Sequence, residues 1–463
     1  MREPLRMSPI PSLAERARAF FRSEATRPLE FRVERLLALK RALIANEQQL
    51  FDALKTDLGK PLNEAYPAEV GLVYEEISFT LKHLKAWMKP ERRGLPFVLW
   101  PGTGARYAEP LGTALIISPW NYPLQLALSP LVGAIAAGCN VVLKPSELAP
   151  ASAAVLELVC AQAFGQEGYV TVAQGGPEVS QALLAEKWDV IFFTGSTRVG
   201  QIVMEAAAKH LTPTILELGG KSPCIVDEDT DLSITARRVA WGKSYNAGQT
   251  CIAPDYVLVH KNVRGAFIEA YGTALREFFG PDVARSPDYG RIINAHHFNR
   301  LQSLMKGGRV ALGGQSDEAT RFMAPTLLTD VELSHPVMQE EIFGPILPVI
   351  EVAGLREAIR FVNDRPKPLA LYVFSRDARK TEEVLQRVSA GGAVVNDTII
   401  HCATTTLPFG GVGPSGTGSY HGKASFDAFS HFKSVVKKPF VLDLKVRYPP
   451  YTTPLSVLKR LIG

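Results

Sequence analysis

The sequence predicts an α/β protein built on doubly wound parallel sheets, and three observations predict it. Short apolar runs of strand character alternate with helical patterns of about ten to fifteen residues. That alternation occurs twice along the chain, once before and once after Asp231. At 463 residues, with 46% hydrophobic and 21% charged side chains, the chain has the composition of a soluble globular protein too long for one core.

The opening run "MREPLRMSPIPSLAERARAFF" lacks the apolar core of a secretory signal, and Glu3, Glu15 and Glu24 argue against a transit peptide. Amphipathic helices are expected over Phe31–Lys60 and Glu69–Lys89, covering a sheet. Pro90 to Pro110 is rich in Pro and Gly and reads as either a loop or a projecting hairpin. Leu111 to Leu143 contains no charged residue. A membrane span is one reading, but Pro119, Pro123, Pro130, Asn121, Gln125 and Asn140 make it a poor one. Strand "TALII", buried helix "LQLALSPLVGAIAA" and strand "NVVLK" fit better. Strands "YVTVAQ", "DVIFFTG" and "PTILELGG" follow, separated by helices "SAAVLELVCAQAF", "PEVSQALLAEKW" and "VGQIVMEAAAKH". The second unit runs through a helix ending at Tyr245, strand "YVLVH" and helix "VRGAFIEAYGTALREFF". It closes with "PLALYVFS" and "GGAVVND", again with a helix between them.

A formal charge of +5 with no basic block speaks against a nucleic-acid partner. Cys139, Cys160, Cys224, Cys251 and Cys402 form no CxxC pair. An odd, thinly spaced set argues against a disulfide framework or a zinc site, and for a reducing, cytoplasmic compartment.

Two glycine-rich stretches compete for a phosphate. Gly411 to Gly416 spells the literal G-x-G-x-x-G, but Pro408 and Phe409 precede it instead of a strand, so it reads as a turn-rich surface loop. "FTGSTRVG" has the better context. A strand feeds Gly195-Ser196-Thr197-Arg198-Val199-Gly200, and the helix that follows offers free N–H groups and a positive dipole end to a pyrophosphate. Gly200 permits close helix–sheet packing. "LKPSE" sets Lys144 and Glu147 at the same sheet edge, where a carboxylate can accept hydrogen bonds from ribose hydroxyls. A helix capped by Ser146, with Glu147 in its first turn, is the alternative.

Three further motifs carry possible chemistry: Asn121 in "ISPWNYP", Glu217 in "LELGG" and Cys251 in "GQTC". Taken singly they are a turn amide, an edge carboxylate and a packing thiol. Taken together they describe a covalent oxidation. A thiolate attacks an aldehyde, an amide N–H and the Cys251 backbone N–H hold the oxyanion, and hydride leaves to a nicotinamide. A carboxylate in an apolar setting then activates water against the thioester.

At these residues the chain resembles the aldehyde dehydrogenase superfamily over nearly its whole length, through "SPWNYP", "KPSE", "FTGSTRVG", "LELGGKSP", "GQTCIAPDY", "QEEIFGP" and "PFGGVG". The N-terminal segment and the closing run resemble the class 3 branch of fatty and aromatic aldehyde dehydrogenases. The resemblance implies Cys251 as nucleophile, Glu217 as general base and Asn121 as oxyanion donor. It implies adenosine-ribose contacts at Lys144 and Glu147, and a phosphate-facing turn over Gly195–Gly200. It also implies Glu341 on the nicotinamide ribose, with Phe343 beside the ring. Glu341 has no case of its own, since a Glu340–Glu341 pair is usually a solvated face. Trp120 and Leu218 join the expected cofactor contacts; Tyr122, Trp241, Ile252 and Phe409 are the expected substrate-pocket residues.

The resemblance further implies a Rossmann-like cofactor domain (1–89 and 111–211) and an α/β catalytic domain (212–400). A bridging β-element for dimerisation (90–110 and 401–445) and a C-terminal tail (446–463) complete it. NAD is the expected cofactor, with NADP as a second acceptor: Glu147 would repel a 2′-phosphate unless its side chain rotates. In the tail, Leu455, Val457, Leu458, Leu461 and Ile462 are too few to span a bilayer. A docked tail is expected; a lip over the substrate entrance or a weak peripheral membrane contact is the alternative. The expected substrate is an aliphatic aldehyde of medium or long chain, or an aromatic one. A cofactor-independent cysteine esterase or thioesterase and a coenzyme A-acylating aldehyde dehydrogenase are the rival functions.

Overall fold

The run after Lys89 forms a hairpin: β1 (Glu91–Arg93) pairs antiparallel with β2 (Thr103–Pro110). The computed structural model that shows this describes residues 10–165, 168–443 and 447–462.

The first alternation gives parallel strands β3 (Thr113–Ile117), β4 (Asn140–Lys144), β5 (Val170–Val172), β6 (Val190–Thr194) and β7 (Thr214–Glu217). Their spatial order is β5-β4-β3-β6-β7. The chain builds outward from β3 and then returns to β6, which puts the topological switch between β3 and β6, where ligands bind outside the strand ends. The uncharged run is therefore strand–helix–strand. Every residue of its helix, Gln125–Ala137, is buried, so charge has no place there. No helix among the described residues is long and apolar enough to cross a membrane.

The second unit is a seven-stranded sheet in the order β10-β13-β14-β9-β8-β15-β16. Its members are β8 (Pro223–Val226), β9 (Tyr256–His260), β10 (Arg309–Leu312), β13 (Thr326–Thr329), β14 (Ile346–Val352), β15 (Ala370–Phe374) and β16 (Gly392–Val395). A small pair, β11 (Ser316–Asp317) and β12 (Phe322–Met323), lies beside it. Two further strands come late in the chain. β17 (Gly416–Thr417) adds antiparallel to β7, and β18 (Ser430–Lys437) adds antiparallel to β2, giving a three-stranded β1-β2-β18 sheet.

Four expectations need correction. Phe31–Lys60 is two helices, Leu29–Ala45 and Glu47–Leu58; the chain breaks at Asn46, whose amide donates back to the Ala42 carbonyl at 2.7 Å. Gly411–Gly416 is not a surface loop throughout, because Ser415 and Gly416 are buried where β17 pairs with β7. Ser146 does not cap a helix: the next helix begins at Pro150, and the Ser146 hydroxyl accepts only the Leu148 N–H at 3.2 Å. The C-terminal helix, Leu455–Ile462, is not docked, since Leu455 and Val457 are exposed. The side chains of Leu461 and Ile462 lie outside the described residues, as do residues 1–9 with Glu3 and the boundary at 445 and 446.

Candidate active site

The C-terminal ends of β3, β6 and β7 set one wall of the site. Glu217 ends β7, between Thr194 of β6 and Gly416 of β17, and its backbone carbonyl accepts the Gly195 N–H at 3.0 Å. Its carboxyl group is buried, and neither oxygen has a hydrogen-bond partner among the described residues. Burial alone holds its pKa well above the usual carboxylate range. The run expected to be a free loop thus closes the sheet edge beside this carboxyl.

Asn121 lies in the loop after β3 and is buried. Its side-chain amide donates to the Gln249 carbonyl at 3.1 Å, two residues before Cys251. The thiol turn is built from amides: Asn246 donates to the same Gln249 carbonyl at 3.2 Å and to the Asn121 carbonyl at 2.8 Å. The Gln249 side chain donates to the Asn246 and Arg291 carbonyls, both at 3.0 Å, and accepts the Ile293 N–H at 2.9 Å. Asn246 and Ala247 are left-handed, at φ 52° and 51°. Strain of this kind persists only where neighbours over-determine the backbone. Gly248, at φ 72°, faces the Gly344 carbonyl so closely that a Cβ there would stand 2.3 Å from its oxygen.

That approach brings the loop of Glu341 and Phe343 against the thiol turn. The loop is clamped by Lys221, which donates to the Val337 and Glu340 carbonyls at 2.8 and 3.0 Å and is ion-paired with Asp255. Asp255 accepts the Ile342 N–H at 3.0 Å, and Arg300 donates to the Glu341 and Ile342 carbonyls. The Glu341 carboxyl lies on Gly219, where a Cβ would fall 2.0 Å from Oε2. Burial pushes it up to about 8, and the Asp255 charge adds to the rise. Glu341 is not a solvated residue, whereas Glu340 is exposed.

Burial likewise raises the Cys251 thiol, and the charges of Glu341, Cys402 and Glu217 raise it further. Cys251, Glu217 and Glu341 therefore share one electrostatic neighbourhood, with Asn121 tied to it through Gln249. Cys251 opens into a cavity of about 190 Å³ lined by Tyr122, Trp241, Ile252 and Phe409, all four of the expected pocket residues. Cys402, Ala68, Leu72, Tyr420 and His421 line it too, and no pattern in the sequence singles them out.

Groups that would hold a dinucleotide line the strand ends. Ser196 caps helix Thr197–Ala208 by accepting the Val199 N–H at 3.4 Å, and Thr197 donates to the Pro414 carbonyl at 3.0 Å. Arg198 is exposed, and Leu218 lies against Gly200. Lys144 and Glu147 form an ion pair at 2.6 Å at the end of β4, with the carboxylate half open to solvent. Trp120 stands edge-on to Phe343, with ring centroids 5.3 Å apart; Phe343 is itself left-handed at φ 51°. The uncompensated Glu341 Oε1, the N-terminus of helix Thr197–Ala208 and the open Glu147 carboxylate fit a ribose–pyrophosphate–ribose ligand.

A switch-point helix N-terminus beside a half-buried thiol and an unpartnered carboxyl defines a dinucleotide-dependent oxidoreductase. The comparisons name the family: a model described as "Aldehyde dehydrogenase family" matches residues 8–435. The chain belongs to that family. It is 49% identical to a dimeric NADP-preferring aldehyde dehydrogenase of Canis lupus familiaris, over 96% of this chain and 98% of the relative. It is 46% identical to a 4,4'-diaponeurosporen-aldehyde dehydrogenase of Staphylococcus aureus, over 96% and 97%. To the human aldehyde dehydrogenase family 3 member B1 it is 49% identical, over 96% and 95%. The solved substrate-bound AldH of Staphylococcus aureus superposes with a TM-score of 0.96 at 45% identity, covering 99% of this chain and all of that one. An NAD+-bound indole-3-acetaldehyde dehydrogenase of P. syringae gives 0.85 at 28%, covering 93% and 89%. The chain is an NAD(P)-dependent aldehyde dehydrogenase of the family 3 type.

Proposed function

We propose that the enzyme oxidises medium- or long-chain aliphatic aldehydes, or aromatic ones, to carboxylic acids through a thiohemiacetal and a thioester on Cys251. The observation that carries this reading is the junction of a nucleophile, an unpartnered buried carboxyl and an apolar cavity in one neighbourhood. Cys251 gives its proton to solvent and its sulfur bonds to the aldehyde carbon, while the carbonyl π pair moves to the oxygen, which takes the charge. The Asn121 amide spends one N–H on Gln249 and has a second for that oxygen. The dinucleotide that the strand-end groups would hold would supply, through its nicotinamide, the hydride acceptor. As hydride departs, the carbonyl re-forms and a thioester remains on Cys251. Glu217 then takes a proton from water, whose oxygen adds to the thioester carbon; the acid leaves and the sulfur recovers its proton. Glu341, Lys144 and Glu147 would hold the two riboses of a bound dinucleotide.

The substrate class rests on the cavity wall, which apolar and aromatic side chains dominate. One relative, from Staphylococcus aureus, is named as a 4,4'-diaponeurosporen-aldehyde dehydrogenase. We also assign the β1-β2-β18 sheet and segment 401–445 as the homodimer element. Phe97 and Trp100, 79% and 59% exposed beside this sheet, and the relative named as dimeric support that assignment. The exposed Leu455–Ile462 helix suits a peripheral membrane contact of a cytoplasmic enzyme.

The test is a panel of aldehydes graded by chain length and ring content, run with NAD and NADP on the native chain and on Cys251→Ala. The native enzyme should prefer long or aromatic aldehydes and need no coenzyme A, and the variant should bind cofactor yet form no reduced nicotinamide. Turnover by the variant would refute the mechanism. Dependence on coenzyme A would replace hydrolysis with acyl transfer, and preference for short polar aldehydes would remove the substrate class.

A further inference from the structure

The mechanism uses Asn121 but leaves unexplained a buried cation directly behind it. Lys60 has no exposed side-chain surface, and neither has Glu69, to which it is paired at 2.6 Å. Burying two charges is costly unless each makes further directed bonds. Glu69 makes two. It accepts the Leu124 and Gln125 N–H groups at 2.9 and 3.1 Å, and so caps from outside a helix, Gln125–Ala137, whose N-cap residue Leu124 supplies no side-chain cap. Glu69 is aimed inward by the π-helical turn Tyr66–Val70. Such turns often occur at functional sites.

The remaining bond of Lys60 goes to the backbone carbonyl of Asn121, at 3.2 Å. The ammonium also stands 4.2 Å from the centre of the Tyr122 ring. The same Asn121 carbonyl receives the Asn246 amide at 2.8 Å, and that amide also donates to Gln249, the acceptor of the Asn121 side chain. Both of its acceptors are carbonyls, so the Asn246 amide can face them only with its NH2 group. The result is a closed ring: the Asn121 carbonyl, the Asn246 amide, the Gln249 carbonyl and the Asn121 amide. The ring fixes the plane of the Asn121 amide relative to the thiol turn, and Lys60 pins it through the same Asn121 carbonyl.

We propose that Lys60 and Asn246 are positioning residues for the reaction: by holding the Asn121 carbonyl they aim the Asn121 amide at the substrate oxygen. This rests on the reading of Asn121 as the oxyanion donor. Neither residue touches substrate. Their effect is on the attack and hydride-transfer stage and not on cofactor binding. Lys60 follows the left-handed Gly59 at the end of helix Glu47–Leu58, and Asn246 sits in the thiol turn, so the clamp ties the two walls of the site together.

The experiment compares full-length enzyme with Asn121→Ala, with Lys60→Met/Glu69→Gln, which removes the pair without stranding one charge, and with the three changes combined. Octanal and its 1-deuterated form are the substrates, with NAD in excess. The readouts are the burst of reduced nicotinamide, the isotope effect on it and the dissociation constant for NAD. The Lys60→Met/Glu69→Gln variant should lose at least tenfold in burst rate, show a primary isotope effect and bind NAD within about twofold of the parent. Adding Asn121→Ala should cost little more, because all the changes act on one donor. A purely structural role would lower the active fraction or melting temperature without this coupling. If the paired variant does not accumulate folded, Asn246→Gly is read in the same way. It removes the other donor at a backbone conformation glycine adopts freely. A burst within twofold of the parent, or losses that multiply with Asn121→Ala, would overturn the proposal. An unchanged burst in Asn121→Ala alone would instead remove the oxyanion reading, and the inference with it.

Discussion

Glu217→Gln separates the two halves of the proposed reaction. The substitution keeps shape and removes basicity at a carboxyl that is buried, unpartnered and raised by burial alone. No cation stabilises its anion, so the ionised form is a strong base when it forms. General-base catalysis contributes about 10²- to 10⁴-fold, or roughly 3–5 kcal/mol. Thioester hydrolysis should slow by that amount while Cys251 and Asn121 still carry out attack and hydride release. Rapid mixing with an aldehyde and NAD should therefore show a burst near one equivalent per site at the parental rate, followed by a steady rate about a thousandfold lower. Intact-mass measurement should find the acyl group on Cys251. The sign of the pH dependence follows from the raised carboxyl. Below its pKa the parent's hydrolysis should rise about tenfold per pH unit, since the required anion grows at that rate, and the Gln variant should lose this slope. A steady rate within about threefold of the parent would refute the assignment of the base. Loss of the burst would refute the division of labour.

Three other perturbations test separate parts of the site. Gly219→Ala places a methyl where the Glu341 carboxyl lies, 2.0 Å from Oε2, and should raise the KM for NAD about tenfold in steady-state titrations while leaving the melting temperature nearly unchanged. Cys402→Phe fills part of the cavity. If it displaces about three methylenes, at ~0.8 kcal/mol each, kcat/KM for long aldehydes should fall about fiftyfold with little change for acetaldehyde. Glu64→Gln tests the buried carboxyl that accepts the Asn246 N–H at 2.8 Å. Burial raises Glu64 from the usual 4.5 to about 7, so the folded chain retains a proton that the unfolded chain loses. The stability this gives is complete below pH 4.5 and disappears as pH rises through about 7. Because Gln stays neutral yet can still accept the N–H, denaturant titration should show the variant gaining up to about 3 kcal/mol on the parent between pH 5 and pH 8. An equal difference at both pH values would contradict it.

The parts of this molecule that were legible in its sequence are those whose signal is local. "TALII", "NVVLK" and "DVIFFTG" stand out because a strand buried on both faces needs an uninterrupted apolar run. β8 was not visible because "PCIV" is four residues long, with a single helix-neutral cysteine in place of a longer β-branched run. β17 is two residues, and it is a strand only because β7 lies beside it across about two hundred positions of chain. This is why Gly411–Gly416 looked like a surface turn. Glu341 gave no sign of its environment for the same reason: what buries it is the approach of Gly219 and Gly248 from distant segments. Lys60 stands at a helix C-terminus, where a lysine is expected on dipole grounds in any exposed helix. Only the inward turn of Glu69 distinguishes it.

Electrostatic crowding at the site also orders the reaction. Burial raises Cys251, Glu217 and Glu341 alike, and the charges of Glu341 and Glu217 make the Cys251 thiolate costlier still. In such surroundings two adjacent anions are far more costly than one. The thiolate and the Glu217 carboxylate are thus disfavoured together, which protects an incoming aldehyde carbon from competing attack by activated water. Once the sulfur is acylated it carries no charge. An ionised Glu217 then no longer opposes a thiolate, and the carboxyl can ionise at the stage that needs a base. In this site a histidine partner would work against that order. A fixed imidazolium between sulfur and carboxylate would stabilise both anions at once, whereas neutral amides from Asn121, Asn246 and Gln249 fix the geometry and leave the sequence of charges to the chemistry.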